Sequence, residues 1–333
     1  NSHTGGHTHT HRVEASTDQT INVDTGFIVF NDWTYPDFIE LLDELGVESQ
    51  TTEMSFSVKC ERSGLEYNGN TLNSMFAQRS NLFRPSFHRM IRDILRFNRE
   101  GHAFIQQLPS NHISLGDFLE QGKYSQQFIH QYIVPMGAAI WSADPEVMFQ
   151  FPAQFFLRFF ANHGLLSVND RPQWRVIKGG SKSYVEKLTA GFKERIRTNC
   201  PVLTIDRRED DVNIVTKQYG TETFDYVFIA THSDQALALL KQPSLAERNV
   251  LSAIPYQNNQ VILHTDEKIL PKRKLAWAAW NYHILDRGDD RVAVTYNMNI
   301  LQGLDAPHSF CVTLNHEDGI DPQRVLQRIV YHH

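Results

Sequence analysis

The 333-residue sequence holds only three cysteines, Cys60, Cys200 and Cys311, widely spaced and none in a CxxC pair. So few scattered thiols exclude a disulfide framework and a cysteine-held zinc site, and they fit a reducing, cytoplasmic compartment. Positive charge is not in excess either. Against 38 Asp and Glu there are 32 Lys and Arg, a formal net charge of −6, which leaves no footprint for nucleic acid. No apolar run reaches the length of about 18 residues that a spanning helix needs, so only peripheral membrane contact stays open. The GxSxG elbow, the Walker loop and HExxH are missing, which removes the common hydrolase, NTPase and metalloprotease signatures. Nor does the chain contain a single GxG.

What is present begins with "NSHTGGHTHTH". His7, His9 and His11 alternate with threonine and would share one face of a strand, a spacing that permits a divalent metal. No further ligand cluster follows to complete a shell, so no metal is assigned. Next, Pro36 opens "PDFIELLDELGV", with Phe38, Leu41, Leu42 and Leu45 at helical spacing and Gly46 at the end, which predicts a helix. "MSFSVKC" and "LEYNG" read as short strands, and Leu72 to Gly164 as mainly helical. Within that lobe, Phe87, Met90, Ile91, Ile94, Leu95 and Phe97 fall on one apolar face. "WRVIKGGSKSYVEKL" reads as strand, Gly-Gly turn and helix, and "VLTIDRREDDVNIVTKQ" as a hairpin about a charged turn. Tyr226 to Ala230 reads as a short buried strand, with Ser233 or Asp234 capping the helix after it. The last third, "NNQVILHTD", "LAWAAWNYH", "RVAVTYNMN" and "SFCVTLN", predicts strands of a mixed or antiparallel sheet.

Four turns place small residues beside strands, where a backbone can closely approach a bulky ligand: Gly5-Gly6, Asp24-Thr25-Gly26, Gly179-Gly180-Ser181 and Ala230-Thr231-His232. Each alone is an ordinary turn. In their order and spacing, "TGGHTHT", "VDTGFIVFN", "RPQWRVIKGGSKSYVEKL", "PVLTIDRR" and "FDYVFIATHSDQALALL" resemble successive blocks of the flavin-containing amine oxidase superfamily. "GAAIWS", "FFLRFFANHGLL" and "WAAWNY", from Gly137, Phe155 and Trp277, are similar to segments of its bacterial NAD/FAD-binding flavoprotein subgroup.

The resemblance implies an α/β (mixed α+β) fold: a Rossmann-like FAD-binding domain of the glutathione-reductase type and a substrate domain of mixed sheet plus helices. It places residues 1–50 and 171–240 in the first and 51–170 and 241–333 in the second. It implies noncovalent FAD, with Gly5, Gly6, His7 and Thr8 toward phosphate and ribose, Gly26 and Phe27 near the flavin, Val202 at adenine, and Ala230 and Thr231 beside the dinucleotide. His7 stands where many relatives carry arginine. The GxGxxG turn and the C-terminal glycine-rich block of the family have no counterpart, so the chain reads as an internal fragment with the first βαβ missing, expected to be inactive alone.

A flavin carries the electron chemistry itself, so no catalytic side chain is assigned. Trp277, Trp280 and Tyr282, with Asn281 between them, are the substrate-site candidates, although tryptophans serve equally as core. The Phe149–Phe160 cluster suits an acyl pocket or a helix core. The resulting expectation is an FAD-dependent oxidoreductase that removes hydride from, or desaturates, an apolar or lipid-like small molecule. Amine oxidation is the alternative chemistry, and non-catalytic flavin binding or redox sensing the alternative class.

Overall fold

The computed structural model describes residues 2–106, 113–286 and 291–332; residues 107–112, inside the stretch predicted helical, lie outside the described residues. Among the described residues the strands are β1 (Thr10–Ser16), β2 (Gln19–Asp24), β3 (Val29–Asn31), β4 (Ser49–Thr51), β5 (Phe56–Cys60), β6 (Leu65–Asn68), β7 (Trp174–Ile177), β8 (Val202–Arg207), β9 (Val212–Thr216), β10 (Gly220–Phe224), β11 (Asn258–His264), β12 (Trp280–Ile284), β13 (Ala293–Asn297), β14 (Cys311–Leu314) and β15 (Val325–His332). The helices are α1 (Pro36–Glu44), α2 (Leu72–Met75), α3 (Pro85–Gln106), α4 (Leu115–Gln121), α5 (Gln126–Phe128), α6 (Val134–Trp141), α7 (Pro145–Gln150), α8 (Ala153–Asn162), α9 (Lys182–Thr189), α10 (Ser233–Leu239), α11 (Leu245–Leu251) and α12 (Met298–Leu301). They form two compact units. The smaller comprises Asn1–Gly6, Leu188–Asn258 and His332–His333, the larger His7–Lys187 and Asn259–Tyr331.

A seven-stranded sheet in the order β15-β11-β14-β13-β12-β5-β6 organises the larger unit. It is mixed: β12 runs parallel to β5, with Trp280 opposite Phe56, and antiparallel to β13, with Trp280 opposite Tyr296. Because side chains alternate, these registers sort residues onto two unlike faces. One face carries Val58, Tyr67, Tyr282 and Val294 and packs against the helical lobe built on α3 to α8. Further along it, Val261, Leu263, Val312 and Leu314 pack with Ala15 and Val23 of the β1–β2 hairpin. The opposite face is polar yet buried: Ser57, Glu66, Asn68, Asn281, His283, Thr295, Thr313 and His264, with half-buried Lys59 among them.

The reason lies in what covers that face. Residues 265–279 cross it with little regular structure, so their backbone groups need side-chain partners. Lys59 Nζ donates to the Ile269 and Leu270 carbonyls at 3.0 and 3.3 Å, and Asn68 Nδ2 to that of Trp277 at 2.7 Å. Glu66 accepts the Lys272 and Arg273 amides at 2.9 and 3.3 Å and the Arg273 guanidinium at 2.8 Å.

In the helical lobe, Phe87, Met90, Ile94 and Phe97 of α3 are buried as their spacing predicts, whereas Leu95 is 54% exposed. The helical path from α5 to α6 passes through a π-helical turn at Ile129–Ile133, where the Gln131 carbonyl accepts the Tyr67 hydroxyl at 2.5 Å. A third sheet, β3-β7-β4, joins segments distant in sequence and lies beside α1, which starts on Pro36 and is followed by Gly46 at φ +61°.

The smaller unit holds the antiparallel sheet β10-β9-β8 with α10 and α11. The predicted hairpin is β8–β9. The predicted buried strand at Tyr226–Ala230 is corrected here: the segment is irregular, with Tyr226 85% and Phe228 96% exposed. A run that is apolar on both faces forms a strand only when neighbours cover it, and no described residues pair with this one. The helix after it is likewise not capped by Ser233 or Asp234. His232 occupies the N-cap position without a side-chain cap, its ring stacked on Tyr256 at 4.5 Å.

Candidate functional site

The N-terminal histidines enter β1 and are tied down within the larger unit. His9 Nδ1 lies 2.7 Å from the Tyr331 hydroxyl, His11 Nε2 lies 2.9 Å from Thr25 Oγ1, and Thr25 Oγ1 lies 2.8 Å from the same Tyr331 hydroxyl. Both rings therefore serve a hydrogen-bonded cluster, and among the described residues no group of three His, Cys, Asp or Glu is arranged to hold a metal. Thr8 is buried, with Oγ1 2.7 Å from the Tyr184 hydroxyl.

Two of the glycine turns are brought together by Asp24, which the sequence did not single out as more than a turn residue. Fully buried at the end of β2, its carboxylate accepts Thr10 Oγ1 at 2.5 Å, the Ser181 amide at 3.0 and 3.1 Å, Ser181 Oγ at 3.0 Å and Gln302 Nε2 at 3.1 Å. Gly180 permits this approach: it sits at φ +96°, and a Cβ there would come within 2.7 Å of Thr10 Cγ2 and 3.3 Å of Asp24 Oδ1. Burial raises the Asp24 pKa, and the hydrogen bonds from Thr10 and Ser181 work against that rise. The carboxylate also faces the start of α9, where amides favour negative charge.

Gly26 has an equally concrete reason to be glycine. A Cβ would fall 1.7 Å from the His7 carbonyl oxygen, which accepts the Phe27 amide at 3.2 Å. Gly26 thus positions the His7–Thr8 backbone, while the Phe27 ring packs edge-on against Phe38 of α1 at 5.3 Å. Gly5 and Gly6 have φ of +108° and +59°, and a Cβ on Gly6 would meet nothing within 4 Å. Such a turn presents bare backbone amides, which suits a phosphate-bearing cofactor. Val202 begins β8; Ala230 and Thr231 are exposed, with the Thr231 hydroxyl donating to the His232 carbonyl at 3.1 Å. Gly5, Gly6, Val202, Ala230 and Thr231 belong to the smaller unit, and His7, Thr8, Gly26 and Phe27 to the larger.

The three aromatic candidates separate. Trp277 precedes β12 and belongs to the covering segment: its Nε1 donates to the Pro271 carbonyl at 2.8 Å and its ring packs with Ile262, Ile269 and Leu270. Trp280 and Tyr282, two residues apart on β12, share the apolar face. Asn281 between them points the other way and is structural, bonded to Ala278 and Thr295. Beside Trp280 stands Tyr296, which the sequence reading missed, with ring centroids 4.8 Å apart and planes at 84°. Its signal was register: Tyr296 lies directly opposite Trp280 across β12–β13. Lys178 points to solvent and pairs with Glu48 at 2.7 Å.

A family model described as flavin containing amine oxidoreductase matches residues 1–325. Among curated protein sequences, none matches this chain. Solved structures with a similar fold include putrescine oxidase bound to putrescine, at 13% identity and TM-score 0.59, covering 94% of this chain and 68% of that one. Cyclohexylamine oxidase from Brevibacterium oxydans is 13% identical with TM-score 0.67, covering 98% and 76%. A fatty acid isomerase from P. acnes that produces CLA is 14% identical with TM-score 0.65, covering 99% and 78%.

Proposed function

Because the chain belongs to the flavin-containing amine oxidoreductase family, whose members are FAD-dependent oxidoreductases, we propose that it serves hydride removal from, or desaturation of, an apolar, lipid-like small molecule. Bound FAD supplies the two-electron acceptor. The chain's own part is to hold the cofactor, orient the substrate and keep water out. For noncovalent FAD the larger unit by itself offers the His7–Thr8 backbone fixed by Gly26, and Phe27; the smaller unit by itself offers the open Gly5-Gly6 turn, Val202 at the start of β8, and Ala230 with Thr231. Three free cysteines suit a cytoplasmic setting. No helix among the described residues is long and apolar enough to cross a membrane.

One observation carries the apolar reading: Phe56, Trp280, Tyr282 and Tyr296 of the sheet and Met136 and Ile140 of α6 all belong to the apolar cluster between sheet and helical lobe. All but Tyr282 stay partly accessible although they pack on a core, so a ligand meets rings and aliphatic groups. The lobe's inner carboxylates are engaged elsewhere. Asp93 holds Arg96 at 3.2 Å and the Ser125 amide at 3.0 Å, and Glu100 accepts the Tyr124 hydroxyl at 2.5 Å. A substrate ammonium would therefore lack a spare counter-ion there.

The second reading, amine oxidation, is favoured by the perpendicular Trp280–Tyr296 pair, since aromatic faces attract cations. Two of the similar structures are amine oxidases by name and one is a fatty acid isomerase. Anaerobic titration of the flavin-loaded protein separates the readings: bleaching by unsaturated or saturated acyl chains supports the first. Bleaching by simple amines alone reverses it.

A further inference from the structure

The helical lobe carries a patch whose charge opposes that of the whole chain. The net charge is −6, yet between Glu66 and Asp93 the sequence has no acidic residue and four arginines, Arg79, Arg84, Arg89 and Arg92. In α3 the helical period sorts residues by face. Phe87, Met90, Ile94 and Phe97 turn to the core, while His88, Arg92, Leu95 and Arg99, spaced i, i+4, i+7 and i+11, form one exposed stripe about 16 Å long. The two acids of this helix are engaged elsewhere: Asp93 is buried against Arg96 and the Ser125 amide, and Glu100 accepts the Tyr124 hydroxyl. Among the described residues, Arg89, Arg92 and Arg99 have no carboxylate partner.

Large apolar side chains stand at the N-terminal end of this stripe. Phe83 is 87% and Leu72 77% exposed, and Leu82 and, within the stripe, Leu95 are 46% and 54% exposed. Local bonds hold these pieces together: His88 Nε2 donates to the Leu82 carbonyl at 2.8 Å, and Arg79 reaches back to the side chain of Asn73, next to Leu72, at 2.7 Å. Exposed apolar residues elsewhere lack such company; Tyr226 and Phe228 lie in a stretch with no Lys or Arg between Lys217 and Lys241. Unpaired guanidinium groups beside an exposed ring and aliphatic tips match anionic headgroups over an acyl layer. Nucleic acid offers the charge but no apolar depth for three leucines. We propose that the α3 stripe, with Leu72, Leu82 and Phe83 at its end, docks the protein on an anionic lipid membrane. The arginines contact headgroups, and Phe83 with Leu72 enters the acyl boundary. The core-facing side of α3 stays packed in the lobe, so the contact is peripheral, and it holds whether the substrate is an acyl chain or an amine.

Cosedimentation of the full chain with vesicles tests this surface. Vesicles of phosphatidylcholine, and of equal parts phosphatidylcholine and phosphatidylglycerol, are compared at low and raised salt. Binding is expected to the anionic vesicles only, falling as salt rises. Changing Arg89→Gln, Arg92→Gln and Arg99→Gln together is expected to weaken it about a hundredfold, from about fivefold per arginine near a charged surface. Phe83→Ser is expected to weaken it several-fold and to keep the salt dependence of the parent. All the substituted side chains are exposed, so both variants are expected to melt as the parent does. Failure to bind anionic vesicles, equal binding to neutral ones, or undiminished binding by the arginine variant would overturn the proposal. If the chain ignores vesicles but binds a single-stranded oligonucleotide, or forms a dimer that Phe83→Ser splits, the patch serves another partner and the proposal falls.

Discussion

Replacing Asp24 by alanine tests whether the two glycine turns are held by one buried carboxylate. The substitution removes the acceptor for Thr10 Oγ1, the Ser181 amide, Ser181 Oγ and Gln302 Nε2 in a site with no solvent exposure. The two hydroxyls can rotate toward other partners. The Ser181 amide cannot, being fixed beside Gly180, and Gln302 is held because its Oε1 accepts the Asp24 amide at 2.9 Å. Two stranded donors at about 1–3 kcal/mol each give a loss of about 4 kcal/mol. For a chain of this size that is a fall of roughly 10 °C in melting temperature. Asp24→Asn should cost less, about 1–2 kcal/mol, because one acceptor oxygen stays and burial already disfavours the charge. Thermal melts and urea titrations of the three proteins, with flavin occupancy read from visible absorbance, decide the matter. An alanine variant melting within about 2 °C of the parent would refute the buried hub. An asparagine variant as damaged as alanine would show that the charge, not the acceptor geometry, matters.

The polar face of the sheet predicts acid lability. Burial lowers the pKa of His264 to about 4 and holds that of His283 well below its usual value, with His316, Lys59 and His264 facing His283, and Asp266 facing His264. Folding favours the neutral rings, so this stability is present above the unfolded value near 6.5 and is lost as pH falls toward 4. His264 alone accounts for a loss on the order of 3 kcal/mol; Asp24, raised and therefore opposite in sign, offsets little, and a urea midpoint that does not fall between pH 7 and 4.5 would contradict this. Gly26→Ala should cost at least as much as a core substitution, about 3 kcal/mol, and release flavin, because its Cβ meets the His7 carbonyl; unchanged melting and yellow colour would sink that account. Changing His7, His9 and His11 together to alanine should lower the melting temperature through the lost Tyr331 and Thr25 bonds, equally with and without zinc or chelator. A zinc-dependent difference in the parent would restore the metal reading.

What the sequence made legible was local. Pro36 and Gly46 mark the two ends of α1 by backbone chemistry that needs no tertiary partner, and the alternating arms around Arg208–Asp211 specify β8–β9 in the same way. The apolar spacing in α3 located four of its buried residues, while Leu95, at the edge of the same stripe, faces out. Long-range facts were not legible. Two of the three partners of Asp24, Ser181 and Gln302, lie 157 and 278 positions away, so an acidic residue before a Thr-Gly turn looked ordinary. Tyr226–Ala230 has strand composition, but composition cannot report whether neighbouring strands are there to pair. "WAAWNY" could not be divided between faces because β12 begins at Trp280, and the two-residue alternation has no meaning for Trp277 before it.

The two faces of the large sheet explain each other. An irregular cover such as residues 265–279 exposes more backbone groups than it can pair internally, and a sheet face of Ser, Asn, Thr, His, Lys and Glu answers them. The opposite face is apolar, and most of what packs on it is helix or the β1–β2 hairpin, whose amides are largely paired internally. Trp280, Tyr282 and Tyr296 lie on that apolar side. On the His283 side, by contrast, His264, Thr313, Thr295 and His283 form a continuous hydrogen-bonded row at 2.7, 2.8 and 2.9 Å, committed to holding the sheet and its cover together. The aromatic pair Trp280–Tyr296 and the histidine row that makes the fold acid-labile therefore occupy opposite faces of the same strands, and a substitution at 280 or 296 can alter the first without touching the second.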